Sequence, residues 1–87
     1  MHWVKKHKGV LAVCDEELIG RKFDVLDVNE NFYKGELIDE KRLSELLKDN
    51  SNINIVGTRS IKAAEKAGVL CAVKKIKSVP YAIIFKI

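Results

Sequence analysis

The apolar and polar positions of this chain outline most of its elements. His2–His7 and residues 9–14 read as two strands joined at Lys8-Gly9, where Gly9 can take a positive φ. The second run, Val10-Leu11-Ala12-Val13-Cys14, is apolar throughout, as in a central strand covered on both faces. Asp15 is placed to cap a short helical turn that Gly20 closes. Phe23 to Val28 alternates and reads as one strand, and Asn29 to Ile38 as a loop or short turn. Asp39 then caps a helix from Glu40 to Asp49, whose Leu43, Leu46 and Leu47 form one stripe. Ile53 to Val56 predicts a short strand, and Arg59 to Ala67 a second helix stopped by Gly68. Val69 to Ile76 reads as extended, Lys77 to Pro80 as a turn, and Tyr81 to Ile87 as a last strand with Tyr81, Ile83, Phe85 and Ile87 on one face. Few small helices and several hairpin-linked strands point to an α+β protein. The expected architecture is a two-layer sandwich, a mixed or antiparallel sheet with two main helices on one side.

Composition narrows the class. Eighty-seven residues, 47% hydrophobic and 32% charged, suit one folded domain spanning 1–87. No apolar run approaches the roughly 18–20 residues that cross a bilayer. The basic start, Met1 to Lys8, lacks the apolar stretch of a secretory leader, so a cytoplasmic protein without membrane contact is expected. The chain has no Gln and one Thr, a bias expected of a thermophile. Cys14 and Cys71 fit no metal spacing and sit in apolar stretches. Buried thiols are the plain account; a bridge between them is the alternative.

Charge is uneven. Residues 1–14 carry three lysines and no acid, residues 15–49 eleven acids against six bases, and residues 50–87 seven bases against one acid. If the two basic ends meet in space, they form one positive face suited to a polyanion; a solvated lysine-rich surface is the plainer alternative. Trp3, Lys5 and His7 share one face of the first strand, and aromatic and basic groups interleaved in this way stack bases and neutralise phosphates. Lys74-Lys75-Ile76-Lys77 supplies a second cluster. Val56-Gly57-Thr58-Arg59-Ser60 is a strand, a Gly and a helix start, where Thr58, Arg59, Ser60 and Lys62 can hold a phosphate or simply cap the helix.

The remaining chemistry is thin. Cys14-Asp15-Glu16-Glu17 sets a thiol beside three acids, which raise a thiol pKa rather than lower it, and the two histidines, His2 and His7, lie on another strand. Their spacing puts them on opposite faces of that strand, so no metal site or cofactor is expected.

Val13-Cys14-Asp15-Glu16-Glu17-Leu18-Ile19-Gly20, Phe32-Tyr33-Lys34-Gly35-Glu36, Asn54-Ile55-Val56-Gly57 and Val79-Pro80-Tyr81-Ala82 occur in that order. Together they resemble an archaeal family known only as domain of unknown function 424, over essentially the whole chain. The resemblance implies an archaeal cytoplasmic protein with a compact two-layer fold and a setting in translation. It implies no catalytic residue. The family pattern has His after Val-Pro where this chain has Tyr81; any activity resting on that His is put in doubt here. The leading expectation is therefore a small binding module for RNA or a ribonucleoprotein. Lys5, Lys6, Lys8, Arg59, Lys62, Lys74, Lys75 and Lys77 would be its phosphate contacts, and Trp3 a stacking residue. A protein-interaction or self-assembly domain is the alternative, and a small enzyme using Cys14 and Asp15 the third reading.

Overall fold

The structure, a computed structural model, describes residues 1–69 and 72–86 within extents of 30 × 25 × 22 Å. In chain order it contains β1 (His2–His7), β2 (Val10–Asp15), a 3-10 turn (Glu16–Leu18), β3 (Lys22–Phe23), β4 (Leu26–Asp27), α1 (Glu30–Tyr33) and β5 (Glu36–Ile38). There follow α2 (Glu40–Asp49), β6 (Asn52–Val56), α3 (Thr58–Lys66), β7 (Lys74–Ile76) and β8 (Val79–Phe85). Six strands form one mixed sheet in the order β5-β1-β2-β6-β8-β7, and β3 and β4 make a separate hairpin. Among the described residues only β2 and β6 pair in parallel, with Leu11 opposite Ile53 and Cys14 opposite Val56. This is the expected α+β class with a mixed sheet.

The two main helices cover one face of the sheet. Leu43 and Leu47 of α2 and Ile61 and Ala64 of α3 pack on Val13, Ile53, Ile55 and Ile84. Strand alternation sends Trp3, Cys14, Val56 and Tyr81 to the other face. There the 16–35 excursion adds a partial third layer, in which Val28, Tyr33, Phe32 and Leu26 close a second core over Ala12 and Cys14. That layer explains why β2 is apolar from Val10 to Cys14: the strand is covered from both sides.

Three local expectations change. The run from Phe23 to Val28 is not one strand but a hairpin, because Asp24 takes a φ of 59° and turns the chain. The 29–38 loop contains α1 and an edge strand, β5, which pairs with β1. The last turn is Lys77-Ser78, both at positive φ, so Val79 and Pro80 already belong to β8. That is the backbone of a two-residue hairpin loop usually signalled by Asn or Gly, and neither is present. In β8 the residues under the helices are Ala82 and Ile84, while Ile83 and Phe85 of the opposite set are each 70% exposed. Cys71 and Ile87 lie outside the described residues, and with them the question of a bridge from Cys14 and the end of the last strand's apolar series.

Candidate functional site

The parallel register that sets Cys14 beside Val56 brings Asp15 next to Gly57, where β6 gives way to α3. Asp15 is 3% exposed. Its carboxylate accepts from the backbone N–H of Arg59 at 3.1 Å and of Ser60 at 2.7 Å. A side chain at the helix's own cap position would ordinarily take those two donors. Gly57 occupies that position and has no side chain to offer. Its φ is 112°, and a Cβ built there would fall inside the Asp15 carboxylate. Strand β2 therefore caps α3 from outside, and only glycine lets it approach.

This arrangement corrects two expectations. Asp15 precedes the 3-10 turn but makes no side-chain cap to it. The start of α3, with Thr58, Arg59 and Ser60, already holds an internal anion where a phosphate was considered. The guanidinium of Arg59 reaches Glu17 and lies 4.0 Å from Asp15.

His2 completes the cluster. Its Nδ1 is 2.7 Å from the Ser60 hydroxyl and 3.9 Å from Asp15. Serine, histidine and aspartate together invite comparison with a hydrolytic triad. In a triad, however, serine and aspartate engage opposite ring nitrogens, and the serine is open to substrate. Here both approach the same nitrogen, and Ser60 is 0% exposed. The cluster's work is to seat a helix. Burial lowers the His2 pKa, the Asp15 charge opposing it in part. The Cys14 thiol is buried and pushed up to about 12 by desolvation, then by Asp15 and Glu17.

The basic residues fall into three separate groups. Lys5, Lys6 and Lys8 lie on or beside the β1–β2 hairpin. Lys5 donates to the Asn31 carbonyl at 2.8 Å, and Lys6 bonds the Asn50 side chain. Arg59 and Lys62 line a depression of about 240 Å³ with His2, Asp39, Glu40 and Lys66, on the helix side. Lys74, Lys75 and Lys77 belong to the β7–β8 hairpin at the far edge. Four strand spacings of about 4.8 Å separate β1 from β7, roughly 19 Å. The two basic ends therefore do not merge, which corrects the single cationic face expected above. The cause is topological: β2, β6 and β8 all insert between them. Trp3 is half-buried in the second core with the Lys34 ammonium 5.5 Å from its ring centre, so its ring is taken up in packing.

Between the basic hairpins lies a part of the sheet that the 16–35 layer leaves uncovered. Pairing sets Asn54 beside Ile83 and Asn52 beside Phe85, with Lys74 across from Tyr81 in the next row. All six side chains project from the same face. A groove of about 200 Å³ runs where this area meets the excursion, bounded by Leu26, Tyr33, Asn54, Val56, Tyr81 and Ile83. Neither Asn52 nor Asn54 is among the contacts expected from the sequence. The available signal was two asparagines in a strand otherwise built of Ile and Val, where asparagine is disfavoured.

The fold and its surfaces define a small α+β sheet protein with one helix-covered face and one half-open face. The model of the family described as a protein of unknown function, DUF424, matches residues 2–87, and the chain belongs to that family. The chain is also similar to the crystal structure of an uncharacterized conserved protein from Methanopyrus kandleri. The TM-score is 0.72 at 22% identity, over 98% of this chain and 89% of the other. That likeness extends the fold to an archaeal protein. Comparison with curated proteins finds no match. No helix among the described residues is long and apolar enough to cross a membrane.

Proposed function

We propose that this protein is a binding module for RNA, or for an RNA–protein particle, and that it engages a single-stranded segment on the open half of its sheet. The observation that carries the reading is Phe85 and Ile83, each 70% exposed on the face that also presents Lys74, Asn52 and Asn54. A folded chain gains by burying such side chains, and leaving an aromatic ring out on a flat sheet creates a platform for unstacked bases. Sequence-tolerant binding to single strands combines such a platform with cations that follow the backbone. The two lysine groups bracket this surface from diagonal corners, Lys8 beyond one end of the sheet and Lys74 near the other. The formal charge of +4 favours a polyanion overall. The buried cluster at Asp15 and the Cys14 thiol, protonated at neutral pH, give little support to a nucleophilic enzyme.

Fluorescence anisotropy with a short labelled single-stranded RNA tests the reading. Affinity should fall as salt rises, and Phe85→Ala should weaken binding about tenfold, since one base–aromatic stack is worth about 1–3 kcal/mol. Binding at about 0.1 M salt no tighter than that of a charge-matched unrelated protein would overturn it.

A protein partner is the second reading, favoured by a different feature. Strand β7 pairs only with Val79–Tyr81, so the outer edge of β8 from Ala82 to Phe85 meets no strand among the described residues. An apolar edge of that kind accepts an added strand. Light scattering that shows a salt-resistant dimer, lost on changing Ile83 to Lys, would favour this reading.

A further inference from the structure

We infer that the groove between the β3–β4 hairpin and the sheet is a seat for one nucleobase, read through Asn54 and Tyr33. This deepens the single-strand reading above and rests on it for the source of the base. The groove has the build of a recognition site rather than a packing defect. Its walls are largely apolar, from Leu26, Val56 and Ile83, and three residues with polar side-chain atoms, Asn54, Tyr33 and Tyr81, also line it. None of the described side-chain hydrogen bonds uses any of these three. Among the described residues Trp3 Nε1 is the one fully inaccessible side-chain polar atom without a partner, so the polar atoms of these three groove-lining residues keep access to solvent.

Tyr33 is the informative member. It is 6% exposed and packed in the second core, yet its hydroxyl, which keeps some solvent access, takes part in none of the side-chain hydrogen bonds among the described residues. A buried tyrosine ordinarily finds a partner for that group. Burial, with Cys14 and Asp27 adding to it, pushes its pKa up to about 12, so it stays a neutral donor across the physiological range. Asn54 is the complementary member, a carboxamide with donors and an acceptor side by side on a central strand. A carboxamide matches the adjacent donor and acceptor on a base edge, while the aromatic Tyr81 and aliphatic Ile83 supply contact to a flat ring. Ligand pockets for whole cofactors usually hold about 300–1,000 Å³, so a groove of about 200 Å³ fits one planar ring better than a dinucleotide. Phe85 lies one step along the sheet, on the same face, where a neighbouring base would stack. Lys74 flanks Tyr81 on the other side, where a phosphate would lie.

Two arms test this on the full chain. In the first, the four ribonucleosides, which carry no phosphate, are titrated while amide and side-chain resonances are followed by NMR. At least one should give saturating shifts centred on Tyr33, Asn54 and Tyr81. Asn54→Ala should weaken that nucleoside about tenfold, in line with the 1–3 kcal/mol of one two-bond base contact. Tyr33→Phe, which keeps the ring packing, should weaken it by a smaller factor. Absence of localised saturating shifts for all four, or shifts unchanged in both variants, would overturn the seat. In the second arm, single-stranded homopolymers of each base are compared by anisotropy. The unaltered protein should prefer the base favoured in the first arm, Asn54→Ala should erase that preference, and Lys74→Ala should weaken all four equally. Equal affinity for all four in both the unaltered protein and Asn54→Ala overturns the seat and leaves the platform standing. Nucleoside binding without homopolymer binding supports the seat and overturns the single-strand reading.

Discussion

Removing the Asp15 carboxylate gives the sharpest test of how the two halves of this chain are joined. Asp15→Ala leaves the N–H groups of Arg59 and Ser60 without their acceptor and empties a buried position. Loss of a helix cap costs about 0.5–2 kcal/mol, and a hydrogen bond to a charged group is worth about 1.5–3 kcal/mol. Water reaches the exposed Thr58 end of the helix and recovers part of this, so about 3 kcal/mol is the expected cost. A chain of this length has roughly 4–13 kcal/mol of stability in total, and each kcal/mol moves its Tm by about 4–8 °C. The variant should therefore melt about 12–24 °C lower, and its urea midpoint should fall with an unchanged slope. Gly57→Ala sharpens the reasoning. In the unaltered protein the new Cβ meets the carboxylate and also strains a φ of 112°. With Asp15 already removed, only the strain remains. The double variant should thus be more stable than the sum of the single effects requires, by at least about 1 kcal/mol. A loss below about 1 kcal/mol for Asp15→Ala, or strict additivity with Gly57→Ala, would refute the claim that β2 caps α3.

Three further outcomes follow from the same geometry. His2 has a folded pKa below its ordinary 6.5, so the unfolded chain binds its proton more readily; its contribution is complete above pH 6.5 and is lost as pH falls toward the folded value. Denaturant titrations across that range should show this loss in the unaltered protein and less of it in His2→Gln. In a Cys71→Ser background, a thiol reagent at neutral pH should label Cys14 only at denaturant concentrations that unfold the chain, because the thiol is buried and its pKa stands at about 12. Labelling as fast as that of free cysteine would contradict the second core. Phe85→Ala should change stability by less than about 1 kcal/mol, since a side chain 70% exposed contributes little to folding; a large loss in urea unfolding would mean that the ring is structural.

The two main helices, α2 and α3, were legible in the sequence because their apolar spacing is a local signal. Asp39 caps its own helix, its carboxylate accepting from the Arg42 N–H at 2.9 Å, and the leucine stripe of α2 fills the core as its spacing dictates. The β1–β2 hairpin and the two-faced burial of β2 were legible for the same reason. What was not legible depends on partners distant in sequence. Asp15 looks like a cap for the next three residues, but its acceptor capacity is claimed by Arg59 and Ser60 through a parallel pairing. Alternation in β8 identifies two faces but not which is covered, since that is decided by how far the 16–35 excursion reaches. The basic residues cluster by segment along the chain, yet strand order sets β1 and β7, which carry them, four strand spacings apart. The candidate site lies between them, on residues such as Asn54 whose polarity is unremarkable until the strand around it is known to be central.

Ultraviolet cross-linking of a uridine-rich single strand to the intact protein, with the linked peptides identified by mass spectrometry, addresses the binding surface most directly. The open sheet face predicts adducts within Asn52–Val56 and Val79–Phe85, reduced in Phe85→Ala and suppressed by salt. Adducts confined to the outer surfaces of α2 and α3, or none above those of an unrelated basic protein, would contradict it.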